Sequence, residues 1–312
     1  MVVGELHKLP HLPELPARGI GADMIGRAGA LLVDIAIDTA PRGYRIVARP
    51  GAVARRAVSL LAEDMDAFEE AWELAGVAGD RVVKVQAPGP ITLAAQLELS
   101  NGHRALTDLG AVRDLAASLA EGVAVHRAEL ARRLSATVVV QYDEPSLFSA
   151  VEGRLPGVTS LSPVNPVEEN VAIALIDECV AAAGGNALLH VCGGDLPWKV
   201  LQRSTIAALS VDPSRLTDAD FDGVGQFLDS GRAVVLGLLP STTPGRRPSL
   251  EEIAAAAAAV TDRIGFSRAV LGDRIGISPV CGLAGATDKW ARGALELAQR
   301  AADGLALDPE AI

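Results

Sequence analysis

The chain has 312 residues, 49% hydrophobic and 3% aromatic, with 28 basic against 39 acidic side chains and a net charge of −11. That share supplies a full core of mostly Ala, Val, Leu and Ile. The basic residues are scattered, which excludes a nucleic-acid or anionic-membrane surface, because either needs clustered Lys and Arg. No apolar run reaches about 18 uncharged residues, and MVVGELHKLPHLPELP carries no signal-peptide pattern, so a membrane span or export is not expected.

In chain order, short β-branched apolar runs alternate with amphipathic stretches. RVVKVQAP (81–88), ATVVVQYDEP (136–145), NALLHVCGG (186–194), AALSVD (207–212), RAVVLGLLPS (232–241) and RIGISPVCGL (274–283) read as strands. They lack polar–apolar alternation, which suits strands covered on both faces, as in a parallel sheet. Helices are expected at DMDAFEEAWELAG (64–76), from Leu106 to Leu134, over 166–185, over 249–265 and over 287–304. Ser249 and Glu252 stand at capping-box spacing. Sustained strand–helix alternation without a linker predicts one domain over 1–312, an α/β fold of the (β/α)8 TIM-barrel type. No G-x-G-x-x-G follows a strand, which disfavours a dinucleotide-binding sheet.

The polar motifs QAPGP, QYDEPS, HVCGG, SVDPS, LLPSTT and SPVCGL all fall at strand C-termini. That end of a parallel barrel carries the active site. Residues i and i+2 of a strand share a face, so His190 and Cys192 can address one ion, and imidazole with thiolate suits zinc. Cys281 and Asp212 end other strands and complete a candidate four-ligand set of His190, Cys192, Asp212 and Cys281. Cys179 lies within a helix pattern and is expected in the core. Three cysteines cannot all pair internally, which points to a reduced, cytoplasmic setting. Asp143 and Glu144 are adjacent carboxylates; one can cap a helix, and the pair can bind a cationic ammonium group. QAPGPIT (86–92) reads as a Pro/Gly-stiffened turn into a helix.

Together these motifs resemble the catalytic barrel of the cobalamin-independent methionine synthases, in the superfamily that also holds uroporphyrinogen decarboxylase and corrinoid-dependent methyltransferases. The family's H-x-C strand matches His190-Val191-Cys192, and its N-P-D-C-G-L strand matches Ser278-Pro279-Val280-Cys281-Gly282-Leu283. Its Q-x-D-E-P-A segment matches Gln141 to Ser146, and its G-P-[VI]-T turn matches Gly89 to Thr92. The resemblance implies zinc on His190, Cys192 and Cys281, with Asp212 standing where the family has a glutamate ligand. It also implies amino-acid substrate binding by Asp143, and it places Arg18 where the family has a substrate-binding acid.

The expected activity is zinc-dependent methyl transfer to a small-molecule thiol, homocysteine first, giving methionine. The expected donor is a folate or a corrinoid, carried free or on a partner protein. A corrinoid-linked enzyme with another thiol acceptor, and a non-catalytic binding homologue, stand as alternatives. The family opens its barrel with a G-S-x-P strand. Nothing like it precedes Gly4, so the first strand is expected to be missing or the start site misassigned. The second, N-terminal barrel of the full-length enzymes is not expected here.

Overall fold

The structure, a computed structural model, describes residues 1–76, 81–159 and 163–310. The chain divides into two compact units, one of His11–Ile206 and one of Met1–Pro10 with the chain from Ala207 onward. Among the described residues, no helix is long and apolar enough to cross a membrane.

In the larger unit, strands β1 (Ala36–Ala40) and β2 (Gly43–Val47) form an antiparallel hairpin, with β4 (Leu97–Glu98) parallel to β2. The sequence reading has no strand here. AIDTA and GYRIV are short and partly polar, and they pair around a turn in which Gly43 takes φ +132°, a region open chiefly to glycine. Next come β3 (Val82–Pro88), β5 (Thr137–Asp143) and β6 (Ala187–His190), all parallel. One face of these strands presents Val83, Val85, Ala87, Val138, Val140 and Tyr142, all buried. The Tyr142 hydroxyl donates to the Cys179 carbonyl on the Glu169–Ala182 helix, at 2.9 Å, so this face is the one covered by helices. Cys179 is fully buried, in the core as expected.

The Leu109–Leu134 helix packs through Val112, Leu115, Leu119, Val123, Leu130 and Leu134, spaced at three, four and seven residues. That spacing makes a single apolar stripe, and each buried leucine contributes about 2 kcal/mol. The helix expected over 64–76 begins twelve residues earlier, at Ala52. AVARRAVSLLAE consists largely of good helix formers, and Gly51 stands in extended backbone as its N-cap.

In the smaller unit, β7 (Ala208–Val211), β8 (Ala233–Leu239) and β9 (Ile275–Pro279) are parallel too. The Leu250–Ile264 helix carries the capping box that Ser249 and Glu252 predict. Leu239, Ile253, Trp290, Ala294 and Leu297 form the core of this unit. The Trp290 indole donates to the Pro240 carbonyl at 2.9 Å, tying the Asp288–Leu307 helix to the end of β8.

All six strands read from the sequence are present, in order β3-β5-β6 in the larger unit and β7-β8-β9 in the smaller one. The fold is α/β, with the parallel strand–helix succession of a (β/α)8-type barrel. His11 forms a parallel bridge to Lys84, with the Leu12 amide donating to the Lys84 carbonyl, so this N-terminal segment pairs with β3.

His126, on the inner side of the Leu109–Leu134 helix, gives the fold an acid-sensitive point. Its pKa is lowered from 6.5 to about 4, first by burial and then by the Arg27 guanidinium. The unfolded chain therefore gains a proton near pH 6.5 that the folded chain refuses until about pH 4. The stability this site contributes is present above pH 6.5 and is lost as the pH falls through that window. Replacing His126 with Gln is expected to remove about 3 kcal/mol of that loss. Urea titrations at the two ends of the window check it, and a pH dependence equal to wild type would refute it.

Candidate metal and substrate site

The other face of β3, β5 and β6 carries the polar residues. Register partners in a parallel ladder point the same way, and side chains alternate along each strand. Gln86 lies opposite Gln141, Pro88 opposite Asp143, and Asp143 opposite His190. Lys84, Gln86, Gln141, Asp143 and His190 therefore share one face. Lys84 Nζ donates to Gln141 Oε1 at 2.9 Å, and Gln141 Nε2 donates to Asp143 Oδ1 at 2.7 Å.

Glu14, in LPELP, joins this group, a residue the motif reading missed. Its carboxyl is pushed up to about 7, chiefly by burial and next by Asp143, with Arg27 and Lys84 opposing. Lys84 is lowered to about 8 by burial, against the pull of Asp143 and Glu14. The signal for Glu14 was an acid set between prolines, with no local partner to give it meaning. Arg18 does not stand in for an acid here. It pairs with the buried Asp64 at 2.7 Å, and Arg27 reaches the same carboxylate at 2.5 Å.

Glu144 is entirely buried. One oxygen accepts from the Ile91 amide at 2.8 Å, and the other accepts from the Thr92 amide at 2.8 Å and the Thr92 hydroxyl at 2.6 Å. It thereby caps the Pro90–Gln96 helix, the one that GPIT opens. Capping is one of the two roles the sequence leaves open for this pair, but the helix capped precedes Glu144 in the chain. Burial still holds its carboxyl up at about 7, with these hydrogen bonds pulling the other way.

His190 ends β6, and Cys192 follows two residues on. Cys281 follows β9 by two residues and is exposed. The ladder between β8 and β9 shifts register between Gly237 and Leu239. A Cβ on Gly237 would stand 2.8 Å from the Val280 Cα, so only glycine lets the backbone just before Cys281 come this close. His190 and Cys192, in the larger unit, offer ligand atoms within 4.8 Å of each other, and Cys281 offers a thiol in the smaller unit. Tetrahedral zinc, ~2.3 Å from sulfur and ~2.0 Å from nitrogen, keeps its donors about 3.5–3.8 Å apart. A contraction of about 1 Å would suffice for His190 and Cys192, so this imidazole and thiol fit two positions of the ion.

Asp212, the fourth candidate, follows β7 in the smaller unit. Its Oδ1 accepts from the Ser214 amide at 2.9 Å and the Ser214 hydroxyl at 2.6 Å, capping the Pro213–Arg215 turn. The short side chain is spent locally in an Asp-Pro-Ser turn, a placement aspartate favours.

Parallel strands that carry His190, Cys192 and Cys281 at or just past their C-termini have the pattern of a barrel-type enzyme, whose active site lies at that end. The model of the family described as "Cobalamin-independent synthase, Catalytic domain" matches residues 5–304, and the chain belongs to this methyltransferase family. Several solved structures share the fold. A B12-independent methionine synthase from a Shewanella species, in complex with selenomethionine, is 16% identical with a TM-score of 0.55, covering 78% of this chain and 68% of that one. A putative vitamin-B12-independent methionine synthase from Listeria monocytogenes is 20% identical with a TM-score of 0.50, covering 76% and 69%. A methyltransferase from Methanosarcina mazei is 14% identical with a TM-score of 0.55, covering 95% and 80%. No curated protein matches the chain.

Proposed function

We propose that the chain transfers a methyl group to a thiol, that His190, Cys192 and Cys281 hold the zinc ion this needs, and that homocysteine is the acceptor, giving methionine in the cytoplasm. The observation that carries the reading is the imidazole of His190 and the thiol of Cys192 within 4.8 Å of each other at the end of β6, in a chain whose residues 5–304 match the synthase family model. Zinc held there would bind the acceptor sulfur and keep it as thiolate near neutral pH, below the free thiol pKa of about 8.5. Three protein donors leave a fourth position for that sulfur, the pattern of catalytic rather than structural sites.

The chain's own residues do the rest. Asp143 shares its strand face with His190 and holds the acceptor's ammonium group, with Glu14 as a second carboxylate beside it. Glu144 fixes the helix start that flanks Asp143. Asp212 stays in its turn and contributes no donor.

Metal analysis after chelator-free purification is expected to give about one zinc per chain, matching one His/Cys/Cys group. Assays with homocysteine then offer methyltetrahydrofolate and methylcobalamin separately, and the donor consumed identifies its class. Protein without bound zinc, or without methionine from either donor, overturns the reading.

A further inference from the structure

The chain leaving β6 touches the end of β5 at one tight point. Directly after Cys192, Gly193 runs against the backbone of Pro145, the residue that follows Glu144. A Cβ on Gly193 would stand 2.9 Å from the Pro145 Cα, 2.6 Å from its carbonyl carbon, and closer still to the carbonyl oxygen. Those atoms are backbone, so no change of rotamer can make room. Pro145 is itself held in place. Its ring fixes φ, and the buried Glu144 before it takes three hydrogen bonds from Ile91 and Thr92. The Glu144 amide donates to the His190 carbonyl at 2.8 Å, and Leu147, two residues after Pro145, is fully buried. Gly194 differs from its neighbour. A Cβ there would meet a Phe148 ring atom at 3.0 Å, and that side chain can turn aside.

Resting on the zinc reading above, we propose that Gly193 is a positioning residue for Cys192, with the Pro145 carbonyl as the stop it rests on. The bare Cα lets the chain lie flat on the end of β5 as it passes Cys192. The same two segments are joined before the cysteine as well, through Glu144 and His190, so the loop is fixed on both sides of the thiol. Carbon atoms in ordinary contact stand about 3.5–4.0 Å apart, so a side chain at 193 would lift the loop by roughly 1 Å. The core anchors Pro145, whereas Gly193 is exposed and Cys192 only half-buried, so the shift falls on Cys192. Metal–ligand distances tolerate only about 0.2 Å, and a displaced thiol would no longer serve the ion that the His190 imidazole addresses. Gly193 acts through Cys192 and does not touch the metal itself.

The test is the zinc affinity of the full chain, by competition with a chromophoric chelator, with the cobalt(II)-saturated protein read by absorbance. Gly193→Ala is expected to weaken zinc by about 10- to 100-fold, the range for residues that orient a metal ligand. Its thiolate-to-cobalt band is expected to fall toward that of Cys192→Ser, which marks the loss of this one thiolate. A fault confined to packing would leave the band unchanged. Gly194→Ala should keep the wild-type band and an affinity within about 3-fold. If Gly193→Ala does not fold, Pro145→Ala is read in its place; it frees φ at the stop and is expected to weaken zinc by about 5-fold or more. Wild-type affinity in the variant read, weakened affinity with an unchanged band, or an equal loss in Gly194→Ala each overturn the proposal and leave the zinc reading intact. Wild type that takes up neither metal overturns both.

Discussion

Replacing Cys281 with serine is expected to lower zinc affinity by more than about 100-fold and to abolish methyl transfer with it. Loss of a residue that merely supports a metal ligand costs roughly 10- to 100-fold, and here a thiolate donor itself is removed. A serine hydroxyl does not ionise near neutral pH and is a poor substitute. Cys281 is exposed, so little packing is lost, and the melting temperature of the metal-free protein should stay within a few degrees of wild type. Equilibrium dialysis against a zinc indicator, with thermal melts of both metal-free proteins, separates metal loss from unfolding. Asp212→Asn is the matched control and should keep its zinc. Full zinc occupancy in the Cys281→Ser protein would end the three-donor account. Zinc loss in the control would restore Asp212 as a ligand.

The second large effect concerns the support beneath the site. Truncating Glu144 to alanine strands three buried donors: the Ile91 amide, the Thr92 amide and the Thr92 hydroxyl. Each unsatisfied donor costs about 1–3 kcal/mol, so a loss of about 4 kcal/mol is expected even if water recovers part of the bonding. Gly89→Ala attacks the same contact from the other side, because the new Cβ would stand 2.2 Å from Glu144 Oε1. Denaturant unfolding of both variants reads the effect. A loss under about 1 kcal/mol in both would show that this carboxylate does not hold the helix start. Zinc affinity measured on the folded fraction reports whether the disturbance reaches the adjacent strand, since the Glu144 amide donates to the His190 carbonyl.

Much of this fold can be read in the letters, for physical reasons. The six parallel strands are apolar and β-branched because helices cover them, and that burial writes a local pattern. His190 and Cys192 are legible as a pair because strand geometry fixes which way i and i+2 point. Glu14 is not legible, since its meaning comes from Asp143 and Lys84, far away in sequence. The β1–β2 hairpin is lost among polar letters because its sheet has only one neighbour, the two-residue β4. Asp212 shows the opposite hazard. Its position at a strand end is clear, but the adjoining Pro213-Ser214 offers a turn that competes for the carboxylate.

The register shift between Gly237 and Leu239 has a consequence for how the protein can change over time. Leu238 is the extra residue there, and it carries no chemistry. Yet deleting one residue would slide the downstream chain by about 3.3 Å and turn alternate side chains to the opposite face. The placing of Cys281 is thus encoded partly as a count of residues, not only as their identities. Lineages that conserved every ligand but lost that count would keep the letters of the motif without its geometry.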